Sequence, residues 1–184
     1  MVTHEPKIKL TYKDYAKTPD DERWELIDGE LVVAPAPNME HQSIQAELAW
    51  YFKAFTRERD LGKVFNAPTD VKLSEHDTVQ PDLVFVSKER EHIITYANIQ
   101  GAPDIVVEIL SPSTARRDWR DKFDLYQRHG VNECWLVDPV SRMAWVFLLM
   151  DGVFREVGRY GEDETLNSPT LEEFEINLAE VFGA

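Results

Sequence analysis

The chain has 184 residues, 34 acidic against 20 basic, for a formal net charge of −14; 43% are hydrophobic and 29% charged. That length suits one domain, the apolar content excludes general disorder, and the acidic excess argues against broad charge-driven adhesion to nucleic acid. The longest apolar run, Met143 to Met150, falls short of the roughly 18 residues a spanning helix needs, so no membrane segment is expected. The N-terminus MVTHEPKIKL has no apolar signal region, and a lone cysteine, Cys134, suits a reducing compartment, so a cytoplasmic location is expected.

In chain order, a short helix is expected over Thr11 to Lys17, then a hairpin in which WELI and ELVV flank the turn residues Asp28 and Gly29. Pro35 and Pro37 end this unit, and residues 1–37 read as an appendage to a single domain spanning 1–184. From His41 to Arg59, Ile44, Leu48, Tyr51, Phe52 and Phe55 follow the spacing of one helical face. Lys63 to Asn66, Thr69 to Leu73 and Val79 to Val86 read as strands, the last carrying PDLVFV. Lys88 to Gly101 reads as a short helix with a loop.

Asp104 to Leu110, DIVVEIL, is strongly strand-like. Ser113 or Thr114 then caps a helix in which Trp119, Phe123 and Tyr126 keep helical spacing to Gly130, and ECWLVD follows as a buried strand. Strand, helix and strand within about 35 residues imply a right-handed crossover with parallel pairing. A hairpin over Arg142 to Val157 turns at Asp151-Gly152, and a polar stretch leads to a short helix near Leu178 to Phe182. Trp145, Phe147 and Leu149 in that hairpin suit a homodimer interface or burial within one chain.

GxGxxG, GxxxxGK[ST], HExxH and GxSxG are all absent, which removes the main supports of dinucleotide, nucleotide, zincin and α/β-hydrolase readings. One cysteine and scattered histidines do not build a thiolate zinc site. What remains is Asp82 in QPDLVFV, Glu108 in DIVVEIL and Lys122 in DWRDKFDLY. Strand alternation puts Ile105, Val107 and Ile109 on an apolar face and Glu108 on the other, mid-sheet and toward a helix layer, where a carboxylate is costly unless paired or metal-bound. If the strand after Asp82 pairs antiparallel with that of Glu108, the two acids converge, and a shared proton or a hard divalent cation relieves their repulsion. Asp104 lies about 13 Å along the strand from Glu108 and is supporting only. Lys122 falls within the stripe 119, 122, 123, 126, so it points inward, toward a carboxylate partner. Taken singly, Asp82 suits a turn, Lys122 a snorkelling lysine and His41 a packed helix-start residue.

This trio resembles the PD-(D/E)XK nuclease superfamily, and the stretches WELIDGEL, His41 at the head of the long helix, PDLVFVS, PDIVVEILSPST and DKFDLYQRHGVNECWLVDP resemble its Uma-type family of restriction endonucleases over roughly residues 24 to 160. Leu110 stands where the superfamily motif has lysine, and the resemblance gives that role to Lys122 from the following helix. It places His41 near the site with no defined role. The fold it implies is α/β (α+β): a restriction-endonuclease-like mixed β-sheet flanked by helices, with additional β-hairpins. The activity it implies is DNA phosphodiester hydrolysis, with Mg²⁺, or Mn²⁺ in its stead, held by Asp82 and Glu108. Lys122 would then orient the attacking water or stabilise the transition state. DNA is the expected substrate, bound weakly and with little sequence-independent affinity because of the net charge; Arg116, Arg117 and Arg120 give the adjoining segment a local excess of positive charge. The alternative is a nuclease-like domain without activity that serves as a binding module.

Overall fold

The computed structural model describes residues 8–19, 22–34, 36–111 and 117–183. In chain order its elements are α1 (Tyr12–Tyr15), β1 (Trp24–Ile27), β2 (Glu30–Val33), α2 (Met39–Glu58), β3 (Gly62–Asn66), β4 (Val71–Lys72), β5 (Thr78–Val79), β6 (Leu83–Ser87), a 3-10 helix (Lys88–Ile93), β7 (Ile99–Gln100), β8 (Ile105–Ile109), α3 (Arg117–His129), β9 (Glu133–Asp138), β10 (Met143–Met150), β11 (Val153–Gly161), β12 (Thr165–Asn167), β13 (Glu175–Asn177) and α4 (Leu178–Phe182). Among the described residues the strands form a six-stranded sheet in the order β11-β10-β9-β8-β6-β3, a five-stranded sheet in the order β2-β1-β5-β4-β7, and the ribbon β12-β13. This is the mixed α+β arrangement expected. No described helix is long and apolar enough to cross a membrane.

The large sheet is a two-sided core divider, and the alternation of β8 decides which side chain goes where. Ile105, Val107 and Ile109 pack toward α2, against Ile44, Leu48 and Phe52, all nearly or fully buried. Those three fall at i, i+4 and i+8, so one helical stripe meets one strand face, and each side chain contributes about 1.5–3 kcal/mol by leaving water. On the other face Val106 and Cys134 pack with Leu125 and Tyr126 of α3. Trp119 and Phe123 extend this layer onto Phe147 and Phe154, so the aromatic ring of Phe147 in the late hairpin is partly covered within the chain.

Helix α2 begins two residues before His41, because the Asn38 side chain accepts from the His41 N–H at 2.8 Å and caps the first turn. Helix α3 stops at Gly130, whose φ of +80° lets the Val131 N–H reach back to the Tyr126 carbonyl at 3.0 Å. Between them β6 runs antiparallel to β8, and β8 parallel to β9 through the α3 crossover, as expected.

Two expectations need correction. Val79 to Val86 is not one strand: Thr78–Val79 pairs in the five-stranded sheet and Leu83–Ser87 in the six-stranded one. Gln80-Pro81-Asp82 makes the corner between them, where Pro81 has no N–H to give a ladder. The polar stretch after Val157 is also structured. Strand β11 continues to Gly161, and β12 pairs with β13, each burying a single apolar side chain, Leu166 and Ile176. One buried residue per strand is too short a pattern for period-2 alternation to reveal.

Candidate active site

The β6–β8 register pairs Leu83 with Val107, which makes Asp82 and Glu108 neighbours at the next position. Asp82, 5% exposed, accepts from the Ile109 N–H at 2.7 Å through Oδ2, and His41 Nε2 lies 3.2 Å from the same oxygen. The Asp82 carbonyl accepts from Gln45 Nε2 at 2.7 Å. His41 and Gln45 stand one turn apart on α2, so a single helix face pins both ends of the aspartate. All described hydrogen bonds of the carboxylate fall on Oδ2. His41 Nδ1 is buried with no hydrogen-bond partner among the described residues.

Lys122 reaches the same floor from α3. Its Nζ lies 3.2 and 3.3 Å from the two oxygens of Glu108 and 2.8 Å from Oε1 of Glu25 on β1. Tyr126, one turn further along α3, donates its hydroxyl to Glu108 Oε1. Glu25 Oε1 also accepts from the Gln80 N–H at 2.9 Å.

Electrostatics at this floor follow from three buried acids and one lysine. Burial pushes the Glu108 carboxyl up to about 7; the nearby charges of Asp82 and Glu25 add to that, while Lys122 and the Tyr126 hydrogen bond pull it back. Burial works against the Lys122 ammonium, but Glu108 and Glu25 outweigh it and hold the amine well above the ordinary lysine range. Burial and Glu108 keep Tyr126 a neutral phenol, hence a donor. For His41, burial favours the neutral ring, yet the Asp82 hydrogen bond and charge, with Glu108, raise it overall.

Glu25, His41, Asp82, Glu108 and Lys122 line a cleft of about 330 Å³ between the two sheets, with Val32 and Val33 of β2 and Trp119 of α3 as apolar walls; Tyr126 is buried behind Glu108. Leu110 lines it too, and the amine that approaches Glu108 comes from Lys122. The structure thus brings Asp82, Glu108, Lys122 and His41 to one cleft. Asp104 lies at the far end of β8, held by the Ser87 N–H at 2.7 Å and Arg90 at 3.2 Å. Arg120 is exposed and does not line the cleft. Arg116 and the side chain of Arg117 fall outside the described residues, as do Ser113 and Thr114.

Sequence reasoning missed Glu25, Gln80 and Tyr126. Glu25 sits in the hairpin read as an appendage, although β1 joins β5 and forms a wall of the cleft. Its signal was an acid inside the apolar WELI run. Tyr126 carried a stronger one, the i+4 spacing from Lys122. Hard oxygen donors able to hold a cation are Asp82 and Glu108; among the described residues no cluster of three or more His, Cys, Asp or Glu is placed to hold one.

Comparison with known proteins agrees with this architecture. The chain is similar to a solved structure described as a putative nuclease belonging to DUF820 from Anabaena variabilis, with a TM-score of 0.78 at 20% identity, over 95% of this chain and 98% of that one. No curated protein sequence matches it. The Uma2 family model, described as putative restriction endonuclease, matches residues 11–179. The chain therefore belongs to the Uma2 family.

Proposed function

We propose that this chain is a divalent-cation-dependent endonuclease that hydrolyses phosphodiester bonds in DNA. The observation that carries this reading is the meeting of Asp82, Glu108 and Lys122, from the corner just ahead of β6, from β8 and from α3, on the floor of one cleft. The donor set fits a hydrated Mg²⁺: two carboxylates with oxygen ligands and room for water, which is how that ion is commonly held. Mn²⁺ suits the same donors. When bound between Asp82 and Glu108, such an ion supplies a water of lowered pKa and neutralises phosphate charge.

The chain's own residues do the rest. The Ile109 N–H and His41 fix Asp82 through Oδ2, so the free lone pairs of Oδ1 are held in place. Tyr126 orients Glu108 by its hydroxyl, and Lys122 keeps a permanent positive charge beside it. That charge stabilises the extra negative charge that develops on the phosphoryl oxygens in the transition state. The walls of the cleft limit how much bulk water surrounds the reacting phosphate.

A supercoiled-plasmid nicking assay with Mg²⁺ or Mn²⁺ tests the reading, with Glu108→Ala as control. Wild type should nick and the variant should not. Equal nicking by both proteins, or none by either with no heat of Mn²⁺ binding in calorimetry, overturns the enzyme reading in favour of an inactive binding module.

A further inference from the structure

Among the described residues Arg23 is the cleft-lining arginine or lysine that has no carboxylate partner. Lys122 is shared between Glu25 and Glu108. Arg23, immediately before β1, instead donates from Nε to the Gln80 side-chain oxygen at 3.2 Å and from Nη2 to the Gln80 carbonyl at 3.4 Å. Both acceptors are neutral, so they hold the guanidinium plane without cancelling its charge. The acids Glu25, Asp28, Glu30, Asp82 and Asp121 line the same cleft, and the half-buried Arg23 guanidinium bonds to Gln80 in place of any of them.

The restraint comes from Gln80. Its Nε2 donates to Asp70 Oδ1 at 2.9 Å and to the Tyr15 hydroxyl at 3.2 Å, and its N–H donates to Glu25. Tyr15 in turn donates to Asp70 at 2.7 Å. With its amide nitrogen committed there, the amide oxygen of Gln80 has one direction left, toward Arg23. Two of the five guanidinium N–H groups are thereby used and three remain, a planar fork suited to two oxygens of one anion. Arg23 and Glu25 are two residues apart on the same side of an extended chain, about 6.6 Å, and Glu25 touches Lys122. An anion on Arg23 therefore lies next to the floor where Asp82 and Glu108 meet.

We propose that Arg23 is a phosphate clamp, binding the non-bridging oxygens of a backbone phosphodiester next to the reacting one, with Gln80 as its positioning residue. This rests on the nuclease reading for its substrate but has a separate readout. Arg23 contacts the substrate equally in ground and transition states, so it acts on binding more than on turnover.

The test compares wild type, Arg23→Gln and Arg23→Lys in three measurements. Plasmid or oligonucleotide cleavage should show KM raised about tenfold or more in Arg23→Gln with kcat within about threefold, and a smaller rise in Arg23→Lys, which keeps charge but loses the fork. Binding of a fluorescein-labelled DNA oligonucleotide to the full chain, without added metal, should lose about 0.9 from its log–log salt slope in Arg23→Gln. The ¹⁵N resonance of Arg23 Nε should shift on titration with a 5′-phosphorylated thymidine dinucleotide. Melting curves for all three proteins separate a folding defect from a binding one, and the dinucleotide titration on wild type decides the matter if Arg23→Gln does not fold. Active wild type with unchanged KM in a folded Arg23→Gln sinks the clamp and leaves the nuclease reading standing. A dinucleotide-dependent Arg23 shift in a protein that never cleaves does the reverse. An unmoved Arg23 resonance overturns the clamp outright.

Discussion

Two buried glutamates stand at opposite ends of the parallel pair β8–β9, and their surroundings differ in kind. Glu133, at the start of β9, is fully buried; it accepts from Trp135 Nε1 at 2.5 Å, Ser168 Oγ at 2.8 Å and the Thr170 N–H at 2.8 Å. Every one of those donors is neutral, and two come from the segment that closes that end of the sheet. Glu108, at the end of β8, faces a lysine, a phenol and two more acids in an open cleft. A buried carboxylate with its hydrogen bonds met by neutral donors is a finished piece of structure. The Glu108 end gathers three buried acids around one lysine, and under the proposed reading a divalent cation relieves their mutual repulsion.

Neutralising Glu108 should have the largest effect. Glu108→Gln preserves its shape, and nicking activity should fall about 10³-fold, the scale of losing a principal electrostatic group at a reacting centre. Retained activity would remove Glu108 from the chemistry. Lys122→Met comes next. It leaves Glu25 and Glu108 buried without their cation, and denaturant unfolding should register a loss of about 3–5 kcal/mol; a loss below about 1 kcal/mol would mean the ion pair is relaxed by water.

Glu133→Ala should lower stability by about 3 kcal/mol, since the Trp135, Ser168 and Thr170 donors are left without their acceptor. Its Mn²⁺ affinity by calorimetry should stay that of wild type, and a weakened affinity would show that the two ends are not independent. The smallest effect is a pH tilt. Glu108 loses its proton near 4.5 in the unfolded chain but near 7 in the folded one, so folded wild type keeps a proton that the unfolded state has released between those values. Its stability therefore declines as pH rises across that window. Glu108→Gln does not titrate, so melting temperatures should shift in its favour from pH 4.5 to 7; a constant difference would indicate that Glu108 is not raised.

The periodic parts of this fold were legible in the sequence. The stripe of α2, the alternation of β8 and the β8–α3–β9 crossover all follow from local spacing, and with them came the approach of Asp82, Glu108 and Lys122. What escaped depends on long-range pairing. Glu25 meets Lys122 because β1 pairs with β5, a contact across about fifty residues with only Leu26 and Thr78 as register partners. Such a short ladder leaves no pattern to read. Arg23 was equally hidden, since pairing with Gln80 and with no carboxylate among the described residues is a property of three-dimensional neighbours. Val79 to Val86 misled for another reason: two apolar strands abut, and the only punctuation is Pro81.

That corner has a consequence for how the protein tolerates change. Gln80 serves the wall through Arg23 and Glu25, Asp82 serves the floor, and one proline separates them. The interval sets the gauge between the two halves of the cleft, much as a rail tie fixes the distance between tracks. A single glycine inserted after Pro81 would keep every named side chain yet put the halves out of step. At this corner it is the length of the chain, beyond the identity of any residue, that sets how wall and floor face each other.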